Sequence, residues 1–219
     1  MNLDPGRFDE AIAALRERVP MTDDEFAQLT EDAQRRAFRV ANAANADMVA
    51  EVWRNLLRAV EEGLSFSDWR GSFEEDPLAT WTASRLDTIF RTNVQQAYSD
   101  GRWAQQTDPD VLEERPYWQF DGVEDDRQSD ICSACNGVVL PAVDPFWATH
   151  NPPLHFNCRS TIVSLDADQA RELGISRDAP AVRVQSGFGN APQTAAEWSP
   201  DPGDYPSEIG DVLSARIAE

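Results

Sequence analysis

The sequence predicts an α+β protein: a mainly helical N-terminal part and a long central helix, then a small sheet with a zinc-stapled loop and an extended C-terminal tail. Three observations carry this. From Pro5 to Gln106 apolar residues recur at three- and four-residue intervals, the spacing of one helix face. Past Pro116 large apolar and polar residues alternate, the two-residue period of a strand. Between Ile131 and Ser160 lie all three cysteines and both histidines of the 219-residue chain. Helical and extended patterns segregated in this way indicate α+β rather than an alternating fold.

The elements follow in order. Residues 5–19 (PGRFDEAIAALRERV) place Phe8, Ile12, Leu15 and Val19 on one helical face. Pro20 and Met21 interrupt it. Thr22-x-x-Glu25 then offers a capping box for a second helix, with Phe26 and Leu29 inward and a further cap at Thr30. From Glu31 to Glu62 an apolar stripe through Phe38, Ala41, Ala44, Met48, Val52, Leu56 and Val60 predicts one long helix, kinked near Asn42 to Asn45 and capped by Gly63. Ser65 to Glu75 reads as a short helix capped by Ser65 or Ser67, with Phe66, Trp69 and Phe73 packing downwards. Asp76-Pro77 opens the central helix, which turns Leu86, Ile89, Phe90, Val94, Ala97 and Tyr98 to one side and stops near Gln106, before Asp108-Pro109. Arg91 and Asn93 on this helix either hold a neighbouring loop or form a solvated face, and the pattern favours the solvated face.

Three short strands are predicted next, at Tyr117–Val123, Val138–Leu140 and Ser160–Leu165, and Asp166 caps a helix that ends at Gly174. Beyond residue 176 the chain is rich in Pro, Gly, Ser and Asp and cannot bury enough apolar surface to fold alone. The expected organisation is therefore a helical region 1–75, a core 76–176 made of the central helix and the metal-bearing sheet, and a tail 177–219 that binds a partner through Trp198, Tyr205 and Ile209.

The formal charge is -20, from 39 acids against 19 bases, all of them Arg. The acids are spread along the whole chain, and such a field repels phosphate backbones, which excludes a broad duplex-binding surface. No apolar run approaches a membrane span, and the N-terminus carries acids rather than a signal peptide's basic start; the expectation is a soluble protein made in the cytoplasm.

The loop 131–160 carries the chemistry. Cys132-x-x-Cys135 and His155-x-x-Cys158 are two half-sites with the same two-residue gap, and together they supply the Cys3His set of a structural tetrahedral Zn2+. His150 competes with His155; His155 is preferred because it would act from the same turn as Cys158. Three buried free cysteines are the competing reading, while a Cys132–Cys135 disulfide fits poorly with an odd cysteine count and a reducing compartment. No Ser-His-Asp set, phosphate loop or dinucleotide fingerprint is present, and pairs such as Glu113-Glu114 and Asp125-Asp126 read as solvated faces in so acidic a chain.

The runs RAFRVANAAN (36–45), LLRAVEEGLSFSDWR (56–70), IFRTNVQQAYSDGRWAQQ (89–106), RPYWQFDGVEDDR (115–127) and DPFWATHNPPLHFNCRS (144–160) resemble successive blocks of the phage Mu F-like head morphogenesis family, over about residues 5–170. The resemblance implies a non-enzymatic minor capsid protein of a tailed phage or prophage. It would be made in the host bacterial cytoplasm, enter the virion head, act in assembly beside the portal, and serve DNA packaging or delivery. The implied partners are the portal, major capsid or scaffold proteins, and contact with packaged DNA, with no membrane involved. The chain departs from the family's pattern at Ser160, where relatives often carry a further cysteine, and at Asp126–Asp130, where many carry an Arg-x-Arg-Pro-x-His segment. The alternative class is a zinc-supported His-Asn-His-like nuclease, suggested by His150-Asn151 and His155-Phe156-Asn157. That reading needs a second C-x-x-C and cations for the scissile phosphate, whereas the chain offers one C-x-x-C and no lysine.

Overall fold

The computed structural model describes residues 8–27, 37, 38, 40, 46–72, 81–192 and 214. Two compact units divide the chain, one formed by 1–89 with 192–219 and the other by 90–191.

In the first unit α1 (Asp9–Arg16) buries Ala11, Ile12 and Leu15, as the helical spacing requires. It packs on α3 (Ala46–Glu62), whose Val49, Val52 and Leu56 are fully buried. Trp53 Nε1 donates to the Leu15 carbonyl at 2.9 Å, and Arg16 pairs with Glu61 across the same contact. Between these helices β1 (Val19–Pro20), α2 (Asp23–Ala27) and β2 (Ala37–Phe38) follow, with β1 and β2 parallel.

The helix predicted from Glu31 is therefore not continuous. Ala37 and Phe38 are extended, Phe38 accepts from Met21 N at 2.9 Å, and Phe38 and Val40 are both buried, two residues apart as on one strand face. The alanines that complete the helical stripe in the sequence offer little apolar area to enforce it, whereas burying Phe38 stabilises the extended form by about 1.5–3 kcal/mol. The expected C-terminal cap is present: Gly63 follows α3 at φ +64°, a conformation that glycine adopts without steric cost. In α4 (Phe66–Gly71) Ser65 is the N-cap, forms a capping box with Asp68, and Trp69 is fully buried.

The central helix α5 (Ala83–Gln106) starts later than the sequence suggests. Trp81 and Thr82 are not helical, and Thr82 Oγ1 accepts from Arg85 N at 3.3 Å, with the Arg85 guanidinium 3.7 Å from the Trp81 ring centre. Asp76-Pro77 lies outside the described residues. Asp108-Pro109 both stops α5 and starts α6 (Pro109–Glu114), because Asp108 accepts from Asp110 N and proline suits a first helical turn.

The second unit is built on an antiparallel sheet of order β4-β3-β5, with β3 (Tyr117–Asp121) between β4 (Val139–Pro141) and β5 (Thr161–Leu165). Alternation separates its faces. Trp118, Phe120, Leu140 and Ile162 point into a cluster with Trp147, Leu154 and the cysteines. Val139, Leu165, Tyr117 and Val163 point the other way, onto Ala170 of α9 (Ala167–Leu173), which Asp166 caps as expected. Trp118 is the pivot of the first face, with edge contacts to Trp103 of α5 at 5.0 Å and to Trp147 at 5.7 Å.

The first part of the predicted tail, from Val182 to Ala191, runs along the 148–156 loop. Asn151 N donates to Gly189 O at 2.8 Å, Gly189 N to Pro153 O at 3.0 Å, Gln185 N to Leu154 O at 3.2 Å and Ala191 N to Ala148 O at 3.0 Å, and Val182 and Val184 pack on the Trp118 cluster. Gly189 has φ +79°, and a Cβ there would lie 2.5 Å from the Thr149 carbonyl oxygen. Gly189→Ala is thus expected to combine left-handed strain with a backbone clash and to cost about 2–4 kcal/mol, read as a lower urea midpoint at unchanged m-value. An unchanged midpoint would show that the segment does not hold the loop. Trp198, Tyr205 and Ile209, the predicted anchors, lie outside the described residues.

Candidate metal centre

The first candidate ligand, Cys132, comes from a short helix. α7 (Asp130–Cys135) begins at Ser129, whose Oγ accepts from Cys132 N at 3.1 Å and so holds Cys132 in the first turn. The other two come from the loop that follows α8 (Phe146–Thr149), after the cis Pro152–Pro153 peptide. There Cys158 N donates to His155 O at 3.2 Å, and Asn157 takes φ +59° between them.

These segments bring Cys132 Sγ, His155 Nε2 and Cys158 Sγ together. The sulfurs are 3.6 Å apart, Nε2 is 3.2 Å from Cys132 Sγ, and all three ligand atoms lie within 4.8 Å of one another. Tetrahedral zinc with bonds of about 2.3 Å to sulfur and about 2.0 Å to nitrogen separates its ligand atoms by about 3.5–3.8 Å. The sulfur pair already has that spacing; to seat the ion, the pair of Nε2 and Cys132 Sγ opens by a few tenths of an ångström, and that of Nε2 and Cys158 Sγ, the widest of the group at up to 4.8 Å, closes by about an ångström. The imidazole is also in the required tautomer. His155 Nδ1 donates to the Phe156 carbonyl at 2.8 Å, which leaves the lone pair on Nε2, where Ser129 Oγ now donates at 2.7 Å.

The remaining predicted residues are placed differently. Cys135 is fully buried in the Trp118 cluster and is not in the three-residue group. His150 stacks on Phe146 at 4.2 Å, with Nδ1 2.9 Å from Thr149 Oγ1 and Nε2 3.1 Å from the Val182 carbonyl. Both its ring nitrogens are occupied away from the cysteines.

The thiols differ in character. Cys132 is held below its ordinary value, chiefly by the hydrogen bond from Cys158, with burial opposing and Ser160, Ser129 and His155 assisting. Cys158 is pushed up by donating that bond and by burial, and Cys135 is pushed up to about 12 by burial and then by the Cys132 charge. Cys132 is thus the first of the pair to give the thiolate that ligates a metal.

A polar frame fixes the loop, and the sequence reading misses most of it. Gln95 Nε2 of α5 donates to Ser160 O at 2.8 Å and Gln106 Nε2 to Ile162 O at 3.0 Å. Two long-chain amides about three turns apart carry no periodic signal, and the sequence directs attention to Arg91 and Asn93. Gly122 N donates to Asn136 Oδ1 at 2.8 Å, joining the end of β3 to the end of α7.

Beside Cys158, Arg159 makes a bidentate pair with Asp125, at 2.7 and 2.5 Å, and Arg127 N donates to the same carboxylate at 3.0 Å. The Arg159 hydrogen bond holds the Asp125 carboxyl well below the usual carboxylate range. Since its folded value is depressed, its contribution is present above the unfolded value, near 3.9 for aspartate, and is lost as pH falls toward the folded value. In a carboxyl NMR titration Asp125 is expected to stay ionised at pH 3, where exposed carboxylates have mostly protonated, and Arg159→Gln should restore an ordinary titration. A normal midpoint in the wild type would show that the pair does not persist in solution.

Comparison with known proteins identifies the lineage. Residues 50–163 match the family described as Phage Mu protein F like protein. The chain is 32% identical over 189 residues to the putative capsid assembly protein F of Escherichia phage Mu, an alignment covering 76% of this chain and 42% of the relative. It is also 32% identical over 164 residues to the Mu-like prophage FluMu F protein of Haemophilus influenzae, covering 67% and 39%. The chain belongs to the phage Mu F-like family. It spans about two fifths of the length of the curated relatives it matches. No solved structure matches it. No helix among the described residues is long and apolar enough to cross a membrane.

Proposed function

We propose that the chain is a structural protein of the phage head that acts in capsid assembly, and that Cys132, His155 and Cys158 hold a zinc ion which staples the proline loop to α7. Family membership across residues 50–163, together with the name of the phage Mu relative, carries the assembly reading. The donor set and the imidazole tautomer carry the zinc reading. Within that reading the chain works in the virion beside the portal, with the portal, major capsid or scaffold protein as neighbour, and serves packaging or delivery of the genome. At a formal charge of -20 it makes at most local contact with packaged DNA. The nuclease alternative has less support, because a base at His150 would first have to give up its hydrogen bonds to Thr149 Oγ1 and the Val182 carbonyl.

Deleting the gene and analysing purified particles by cross-linking mass spectrometry tests this. Loss of infectious particles in the deletion, with cross-links from this chain to a head protein in the wild type, is the expected result. A normal titre, or particles that lack the chain, would overturn it. Metal-dependent DNA cleavage by the pure protein that disappears in His150→Ala would replace it with the nuclease reading.

A further inference from the structure

We infer that the metal centre is a Cys2His site whose fourth ligand is exchangeable solvent, with Cys135 acting as a core residue instead of a ligand. The inference rests on the zinc reading above and departs from the Cys3His set that the sequence spacing suggests. Among the described residues the only group of three or more His, Cys, Asp or Glu side chains close enough together to hold a metal ion is Cys132, His155 and Cys158. Cys135 shares α7 with Cys132, yet it is 0% exposed and packs in the cluster formed by Trp118, Phe120, Leu140 and Trp147. Its sulfur lies outside the group formed by Cys132, His155 and Cys158, and bringing it to the ion would withdraw it from those aromatic and aliphatic neighbours.

The surroundings suit a water in its place. Cys132 and Cys158 are 3% and 4% exposed, but His155 is half-buried and is followed by exposed Phe156 and Asn157, so the imidazole side of the cluster reaches solvent. Ser129 Oγ stands 2.7 Å from Nε2 and is itself fixed by Cys132 N. A serine hydroxyl is not among the usual protein ligands of zinc, but it can hydrogen-bond a water coordinated beside it. Three protein ligands with an open fourth position are the arrangement in which zinc exchanges small ligands, whereas four protein ligands close it.

Zinc-edge X-ray absorption of the wild-type protein counts the sulfurs directly. Two sulfurs with two nitrogen or oxygen scatterers are expected; three sulfurs with one nitrogen would overturn the inference while leaving the zinc staple standing. Absence of bound zinc in folded protein would end both. The cobalt-substituted protein gives a second readout. Cys135→Ala should bind cobalt within about threefold of wild type and keep its thiolate charge-transfer intensity, whereas Cys158→Ala should bind about 100-fold more weakly. Loss of about a third of that intensity in Cys135→Ala would count Cys135 as the third thiolate ligand. Azide added to wild-type cobalt protein should shift the visible bands, and no response would mean a closed site. Should Cys135→Ala fold poorly, Cys135→Val fills the same core volume and reports the same quantities.

Discussion

Cys158→Ala is expected to release the zinc and to destabilise the second unit by on the order of 5 kcal/mol. Truncating a small buried side chain accounts for about 1 kcal/mol of this by lost transfer and packing. The larger share is the binding free energy of the ion, which is folding free energy wherever the unfolded chain has no preformed site; it reaches about 10–16 kcal/mol in zinc-finger peptides. Here a hydrophobic cluster around Trp118 supports the same loop, so the share due to metal is smaller than in a peptide. Wild-type protein stripped by a chelator should melt close to Cys158→Ala, and His155→Ala should resemble both, while His150→Ala should keep its zinc. A chelated wild type as stable as the loaded protein would sink the staple.

Replacing Trp118 with alanine is the second large effect. The side chain is 1% exposed, lies on the central strand and touches both Trp103 and Trp147 edge-on. Large aromatic truncations in cores cost about 3–5 kcal/mol, and edge-to-face pairs add about 0.5–1.5 kcal/mol each. Against a typical stability of 5–15 kcal/mol, this loss is enough to unfold much of the second unit at 37 °C. Urea unfolding followed by circular dichroism should show a midpoint far below wild type, with Val143→Ala, 87% exposed, as the silent control. Equal midpoints for the two variants would mean that the sheet does not organise this unit.

The sequence makes the strands and the clustering of Cys132, His155 and Cys158 legible because each rests on strong local signals. Tyr117–Asp121 alternates cleanly, Asp166 and Gly174 bracket α9, and cysteine and histidine are rare enough in this chain for clustering to stand out. What was hidden depends on tertiary contact. Phe38 becomes extended because its backbone pairs with residues 19–21, and nothing within the 31–62 window announces that partner. Cys135 looks equivalent to Cys132 by spacing, and although all three cysteines are buried in one cluster, only Cys132 and Cys158 lie in the group with His155, a placement that spacing does not encode. The 182–191 segment reads as tail because its composition is poor in apolar residues, yet it is held largely by backbone hydrogen bonds, which leave no compositional trace.

That segment also sets an order of events in synthesis. Among the described residues, the proline loop obtains backbone partners for Asn151, Pro153 and Leu154 from residues 185–189. A chain emerging from its N-terminus exposes Cys132, His155 and Cys158 first, so these side chains emerge before the stretch of chain that covers their loop. A ribosome-bound intermediate of this protein therefore exposes the apolar side chains beneath the loop, Leu154 foremost, to whatever chaperone or neighbouring chain stands at the exit. Capture of the proposed ion before residue 189 appears would close the loop from within and shorten that exposure, and the metal supply of the producing cell would then bear on the yield of folded chain as well as on its stability.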